Sequence, residues 1–190
     1  MFRESITKEE LKELPLKQFE GNITLVDKIS QVDEAVRFLS GYNLIGFDTE
    51  TRPSFKKGKV NRVALLQLST NTHAFLFRLN RIGLPDRLKQ LLQSEKIIKP
   101  GIAIRDDIKV LQHLNHFKPA GFVELQDHVK DFGIQNFSLK KLAGIVLGMR
   151  ISKTQQLSNW EAASLTEQQL IYAATDAWAS LLIYQNLYSN

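Results

Sequence analysis

Two carboxylates close an apolar run in the stretch Asn43–Arg52, which reads NLIGFDTETR. Leu44, Ile45 and Phe47 precede Asp48 and Glu50, and Gly46 interrupts them. The run reads as a short buried strand. Side chains alternate faces along a strand, so Asp48 and Glu50 point the same way. Adjacent carboxylates repel one another unless a cation or a proton lies between them. Hard divalent ions such as Mg²⁺ suit oxygen ligands of this kind. Asp-x-Glu also occurs at strand ends and in turns with no ion, so the pair gains meaning only from other acids.

Two further segments supply them. In Ile104–Leu111, IRDDIKVL, the apolar stripe of a helix runs through Ile104, Ile108 and Leu111. Asp107 lies three residues after Ile104 and four before Leu111, so it shares the buried face, whereas Asp106 is rotated off it. A lone carboxylate on an apolar stripe is unfavourable without a partner. The alternative is that both are first-turn acids favoured by the helix N-terminus. In Leu170–Trp178, LIYAATDAW, Tyr172 and Asp176 are one helical turn apart on one face. The small residues Ala173, Ala174 and Ala177 let that helix approach another element closely. Tyr172 also has a reading as a core aromatic with its hydroxyl satisfied.

Asp48, Glu50, Asp107 and Asp176 thus all occupy faces that should be inward. Ligation by carboxylates without His or Cys selects Mg²⁺ or Mn²⁺ over zinc. A set of this size suits two ions about 4 Å apart, the arrangement used for phosphoryl hydrolysis.

The order and spacing of these segments resemble the DEDD family of 3′–5′ exonucleases, in the subgroup with tyrosine in the third motif. Phe47-Asp-Thr-Glu50 is similar to the first motif, Lys99–Leu111 to the second and Tyr172-Ala-Ala-Thr-Asp176 to the third. Val63–Leu68, Leu139–Ala143 and Lys153–Trp160 resemble the connecting segments. The chain resembles ribonuclease D and the exonuclease domain of the Werner syndrome helicase over roughly residues 22–188. The resemblance implies a ribonuclease H-like α/β fold, with a mixed five-stranded sheet flanked by helices. It implies that Asp48, Glu50 and Asp176 hold one ion, that Asp48 bridges to a second, and that Asp107 acts largely through water. One ion would activate water near neutral pH and the other would stabilise the leaving 3′ oxygen. Tyr172 would orient the attacking water, and the product would be a nucleoside 5′-monophosphate. None of His73, His113, His116 and His128 is near Asp176 in sequence, which disfavours the histidine subgroup.

The elements that must position these residues are readable from pattern. Thr7–Glu10 is a capping box that opens a short helix, stopped near Leu14-Pro15. A strand at Ile23–Val26 precedes a helix begun near Ser30, with Val32, Ala35, Val36 and Leu39 on one face. After a turn-rich loop at Pro53–Gly58, Val60–Ser69 and His73–Phe77 form a hairpin. Pro85 is placed to be a first helical residue. Short strands are expected at Ile97-Ile98 and Phe122–Leu125, with a helix at Ile104–Leu114 between them. Ser138 and Gly148 bound another helix, and Thr166–Gln169 is a second capping box, opening a last helix to about Tyr188. Strands alternating with helices after an early hairpin give an α/β sandwich with a mixed sheet.

The 190 residues fit one domain, 1–190, in which residues 1–21 form an N-terminal extension with no functional reading. A hydrophobic content of 43% and a charged content of 24% are those of soluble globular chains. No apolar run is long enough to span a bilayer, and the polar first residues are not a secretory signal. Cysteine is absent, which excludes disulfides and thiolate metal sites and is compatible with a cytoplasmic location. A net charge of +5 favours a polyanionic partner, nucleic acid first, and neither a membrane nor a small-molecule cofactor is expected. A merely basic surface is the alternative.

Candidate substrate contacts are Thr49 and Arg52 beside the first motif, Lys59 and Arg62 (with Lys57) before the second strand, and Lys153 ahead of Trp160. Each basic residue reads either as a phosphate contact or as a solvated charge. Trp160 and Trp178 read as core packing rather than base stacking. The leading expectation is a metal-dependent 3′–5′ exonuclease. The alternatives are ribonuclease D-like RNA trimming and a non-catalytic nucleic-acid-binding module. The chain is expected to carry the nuclease domain without the helical domains of ribonuclease D or a helicase, which tilts the expectation slightly towards DNA. Helical phase generates the first prediction: Asp107→Ala should lose most nuclease activity and Asp106→Ala should keep it. Nuclease assays of the two variants check this, and the reverse pattern would show the helix register to be wrong.

Overall fold

The computed structural model describes residues 2–53 and 62–188. The chain folds as an α/β sandwich about a mixed sheet. Most of the loop at Pro53–Gly58, the first residues of the strand expected from Val60, and Lys57 and Lys59 lie outside the described residues.

The strands are β1 (Asn22–Val26), β2 (Gly46–Thr51), β3 (Val63–Ser69) and β4 (His73–Phe77), followed by β5 (Lys99–Gly101) and β6 (Phe122–Glu124). The first four form one sheet in the order β1-β4-β3-β2, with β1 parallel to β4 and the other neighbours antiparallel. β5 and β6 form a parallel pair. The Ile45 N–H donates to the Ile98 carbonyl (3.0 Å) and the Ile98 N–H to the Asn43 carbonyl (2.8 Å), which stitches the pair to the edge of the main sheet. The sheet expected with five strands is therefore a four-stranded ladder continued by a two-stranded one. The strand expected at Ile97-Ile98 begins two residues later. Ile97 is buried and fills the core, and ladder pairing with β6 starts at Lys99.

The helices are α1 (Lys8–Glu13), α2 (Val32–Leu39), α3 (Leu79–Ile82), α4 (Asp86–Leu92), α5 (Ile104–Leu114), α6 (Leu125–His128), α7 (Leu139–Leu147) and α8 (Glu167–Tyr188). Both capping boxes form. Thr7 Oγ1 accepts from the Glu10 N–H (3.1 Å), and Thr166 Oγ1 from the Gln169 N–H (3.2 Å). Pro85 is the N-cap of α4 rather than its first residue, because its ψ of 153° is extended. Gly148 stops α7 in the left-handed region, at φ 63°.

Pairing across β2 and β3 sorts the two faces. Phe47 lies opposite Leu68 and Thr49 opposite Leu66, and Phe47, Leu66 and Leu68 join the core with α2, α4 and α5. Asp48 lies opposite Gln67 and Glu50 opposite Leu65 on the other face. Leu65 packs there with Trp160, from the segment before α8, and with Tyr172, Ala173 and Ala174 of α8. From Tyr172 to Ala177 every residue of α8 is buried, as for a helix enclosed on several sides.

The N-terminal extension is tied down. Lys17 N–H donates to the Arg150 carbonyl (2.9 Å) and Arg150 N–H to the Pro15 carbonyl (3.0 Å). Phe19 N–H donates to Thr175 Oγ1 on α8 (3.0 Å). Side chains of Ile6, Leu11 and Leu14 occupy the space that a Cβ on Gly144 of α7 would need.

Gly46 shows why the strand that carries the acids is interrupted by glycine. A Cβ there would lie 1.9 Å from the Ala177 carbonyl oxygen, so the backbones of β2 and α8 touch at this point. Gly46→Ala should therefore destabilise the fold by about 3 kcal/mol, the upper range of core overpacking. Thermal or denaturant unfolding measures this, and a wild-type midpoint would show that α8 is free to shift.

Candidate active site

β2 and α8 meet where their acids face one another. Asp48, Glu50 and Asp176 offer carboxylate oxygens that all lie within 4.8 Å of one another. Asp48 and Glu50 are half-buried and Asp176 is buried. Burial pushes all three carboxyls up, and Asp48 and Glu50 are raised further by the neighbouring acids. Glu50 is pushed up to about 9. Asp176 is drawn back down by the Lys140 ammonium and the Tyr172 hydroxyl. Among the described residues, Asp176 Oδ1 is buried with no hydrogen-bond partner. Oxygen ligands gathered at this spacing, beside a buried carboxylate oxygen without a partner, fit a hard divalent cation.

Asp107 comes from the other layer. Thr49 Oγ1 donates to Asp107 Oδ1 (2.6 Å) across the face of β2 opposite Asp48 and Glu50. Asp107 is half-buried and burial pushes it up to about 6, while Asp106 is exposed and paired with Lys109 (2.9 Å). The start of α5 is fixed by Glu124 at the end of β6, whose carboxylate accepts from the Ala103 and Ile104 N–H groups (3.0 and 2.9 Å). Tyr172 is buried one turn before Asp176, and its ring lies 6.1 Å from that of the fully buried Trp160.

Residues 23–190 match the family model described as 3′–5′ exonuclease. The chain belongs to this family. Over 185 residues, 92% of the chain, it is 37% identical to the bifunctional 3′–5′ exonuclease/ATP-dependent helicase WRN of Mus musculus, of which it spans 13%. The Nibbler EXO domain of Aedes aegypti superposes with a TM-score of 0.81 at 24% identity, covering 91% of each chain. RNase D of Trypanosoma brucei, solved with RNA U12, superposes with a TM-score of 0.79 at 24% identity, over 90% of this chain and 64% of that one. The fold is that of ribonuclease H-like exonuclease domains.

On this exonuclease scaffold the structure places the remaining expected contacts unevenly. Thr49 is spent on Asp107. Arg52 Nη1 reaches Glu161 (3.3 Å). Arg62 is exposed ahead of β3 and Lys153 is exposed ahead of Trp160, while Lys59 lies outside the described residues. Trp160 is core, and Trp178 stacks edge-on against Phe19 at 6.0 Å.

Sequence reasoning missed Lys140 on α7. Its Nζ is enclosed without a hydrogen-bond partner among the described residues, and burial and Lys153 lower it to about 8 against the opposing pull of Asp176. The phase argument that singled out Asp107 would have flagged it, because Lys140 lies three residues before the buried Ala143. Glu124 carried no comparable signal, since its role depends on a strand pairing.

Carboxyls raised above their unfolded values near 4 bind protons more tightly in the fold. Their contribution to stability is complete below about pH 4 and is lost as pH rises through about 6 for Asp107 and about 9 for Glu50. Metal-free protein should therefore lose thermal stability between pH 5 and 8, and Asp176→Asn should flatten that slope. Melting curves in chelator across this range check it, and a midpoint that rises with pH would contradict the electrostatic account.

Proposed function

We propose that the chain hydrolyses nucleic acid from the 3′ end to nucleoside 5′-monophosphates using two divalent ions, Mg²⁺ or Mn²⁺, with DNA favoured slightly over RNA. The gathering of Asp48, Glu50 and Asp176, with Asp176 Oδ1 buried and without a hydrogen-bond partner among the described residues, carries this reading. These three carboxylates would hold one ion, with Asp48 shared by a second and Asp107 contributing through water. Bound there, the ions would supply an activated water and stabilisation of charge on the leaving oxygen.

The chain's own groups do the positioning. Thr49 fixes the carboxyl of Asp107 by its hydrogen bond. Burial and the nearby acids push the Tyr172 phenol well above its ordinary value, so it stays protonated and serves as a hydrogen-bond donor rather than a base. Trp160 packs near the Tyr172 ring and limits where the hydroxyl can go. A reading with RNA as substrate uses the same chemistry, and the shared fold with an RNase D solved with RNA favours keeping it in the test. The sequence likeness to an exonuclease joined to a helicase supports the DNA reading.

The test compares 5′-labelled single-stranded DNA, recessed duplex DNA and single-stranded RNA, with Mg²⁺ or Mn²⁺ and with EDTA. Stepwise shortening from a free 3′-OH that stops in EDTA is expected. Full activity in EDTA, or mononucleotides released from the 5′ end, would overturn the reading. Tyr172→Phe should lower single-turnover cleavage by about 10²–10⁴-fold, the range of a positioning or acid–base group, while Mn²⁺ affinity stays near wild type. Near-wild-type cleavage would make Tyr172 a packing residue only.

A further inference from the structure

The N-terminal extension forms one wall of a cleft beside the acid cluster. A cavity of ≈ 120 Å³ holds Tyr172 and Asp176, and Leu16, Ser152 and Thr154 line part of its rim. The same three residues line a neighbouring groove of ≈ 440 Å³, so the two share a wall. That volume falls within the roughly 300–1,000 Å³ of ligand clefts.

The groove is chemically one-sided. Its charged side chains are Lys8 and Lys12 of α1, Lys140 of α7, Arg150 and Lys153, with no carboxylate. Among the described residues none of Lys8, Lys12, Lys140 and Lys153 makes an ion pair. Between the cations the floor is apolar, made by Leu11, Leu16 and Ile151. Leu16 is 53% exposed, unusual for a leucine in a segment held by backbone hydrogen bonds on both sides. Lys140 lines the groove with its stem, while its enclosed ammonium acts on Asp176. Like charges gathered without counter-ions favour a polyanion, and an apolar floor suits sugars and base faces that are exposed only in an unpaired strand.

We propose that α1 and the 150–154 segment, with Lys8, Lys12 and Lys153, hold the phosphodiester backbone of a single nucleic-acid strand as it leads to the acid cluster. This rests on the exonuclease reading for its direction, since the strand's 3′ end would lie at Asp176. The aliphatic floor carries the strand's non-phosphate surface and the lysines fix its path. The extension that lies outside the family motifs thereby becomes part of the substrate site.

The experiment measures binding of fluorescently labelled single-stranded DNA and RNA of about 20 nucleotides in EDTA, where cleavage is not needed, over a salt series. Lys8→Gln/Lys12→Gln should weaken binding about tenfold and reduce the salt slope by about 1.4, from roughly 0.7 per single-strand phosphate contact. Lys153→Gln should weaken it by a smaller factor and reduce the slope by about 0.7, for one contact. Lys28→Gln/Lys118→Gln removes the same charge from other parts of the surface and should bind as wild type. Wild-type affinity and slope in the Lys8/Lys12 variant, with its melting midpoint unchanged, would overturn the proposal. So would an equal loss in the Lys28/Lys118 control, which would assign the effect to net charge. Wild-type protein that binds strands through these lysines but cuts none in Mg²⁺ or Mn²⁺ would sink the exonuclease reading and leave the groove standing.

Discussion

Mutual repulsion among Asp48, Glu50 and Asp176 is the constraint around which the rest of the molecule is arranged. Two unit charges 4.8 Å apart repel by about 3.5 kcal/mol at an effective dielectric near 20, and the cluster holds several such pairs. No chain gathers such groups on local preference. They are held because β2 is one strand of a paired sheet and α8 is pressed onto it, with the Gly46 backbone against the Ala177 carbonyl. Apolar packing around Leu65, Trp160 and Ala173 opposes the repulsion. The raised carboxyls and the orphaned Asp176 Oδ1 are the local cost, and a divalent cation held there would remove both.

β2 divides the site as well as supporting it. One residue, Thr49, separates the paired acids, and strand alternation turns its hydroxyl towards the opposite layer. Asp107 waits there on α5, whose first turn is held by Glu124 from β6. Ala103, just before that helix, adopts φ 57°, a left-handed conformation that costs a residue with a Cβ roughly 1 kcal/mol. Sharp redirection of the chain at that point lets α5 begin beside the end of β2. Two layers on opposite faces of one strand thus deliver acids to a common place.

The basic groove and the acid cluster also depend on one another. Lys140 faces both, drawing Asp176 towards its charged form while lining a surface rich in lysine. A cluster of carboxylates repels nucleic acid unless positive charge offsets it, so a separate source of positive charge nearby suits a polyanionic strand. The N-terminal extension supplies part of it and is fixed to α7 and α8 rather than left loose.

The sequence by itself determined the α/β class, the phases of α2, α5 and α8, both capping boxes, and which acids face inward. These follow from short-range periodicity, which two or four residues suffice to express. It also determined the family, because motif order and spacing survive without coordinates. Tertiary structure alone decided that Asp107 approaches from the far face of β2 and that the Thr49 hydroxyl donates to it. It alone decided that ladder pairing starts at Lys99 rather than Ile97, and that residues between Lys8 and Gln18 build a wall of the cleft. Each of these depends on which elements come together across long sequence separations, and neither hydrophobic period nor turn chemistry encodes such a meeting. Lys140 stands between the two cases. Its phase was legible in the sequence, but its significance came only when α7 packed against α8 and brought it to Asp176.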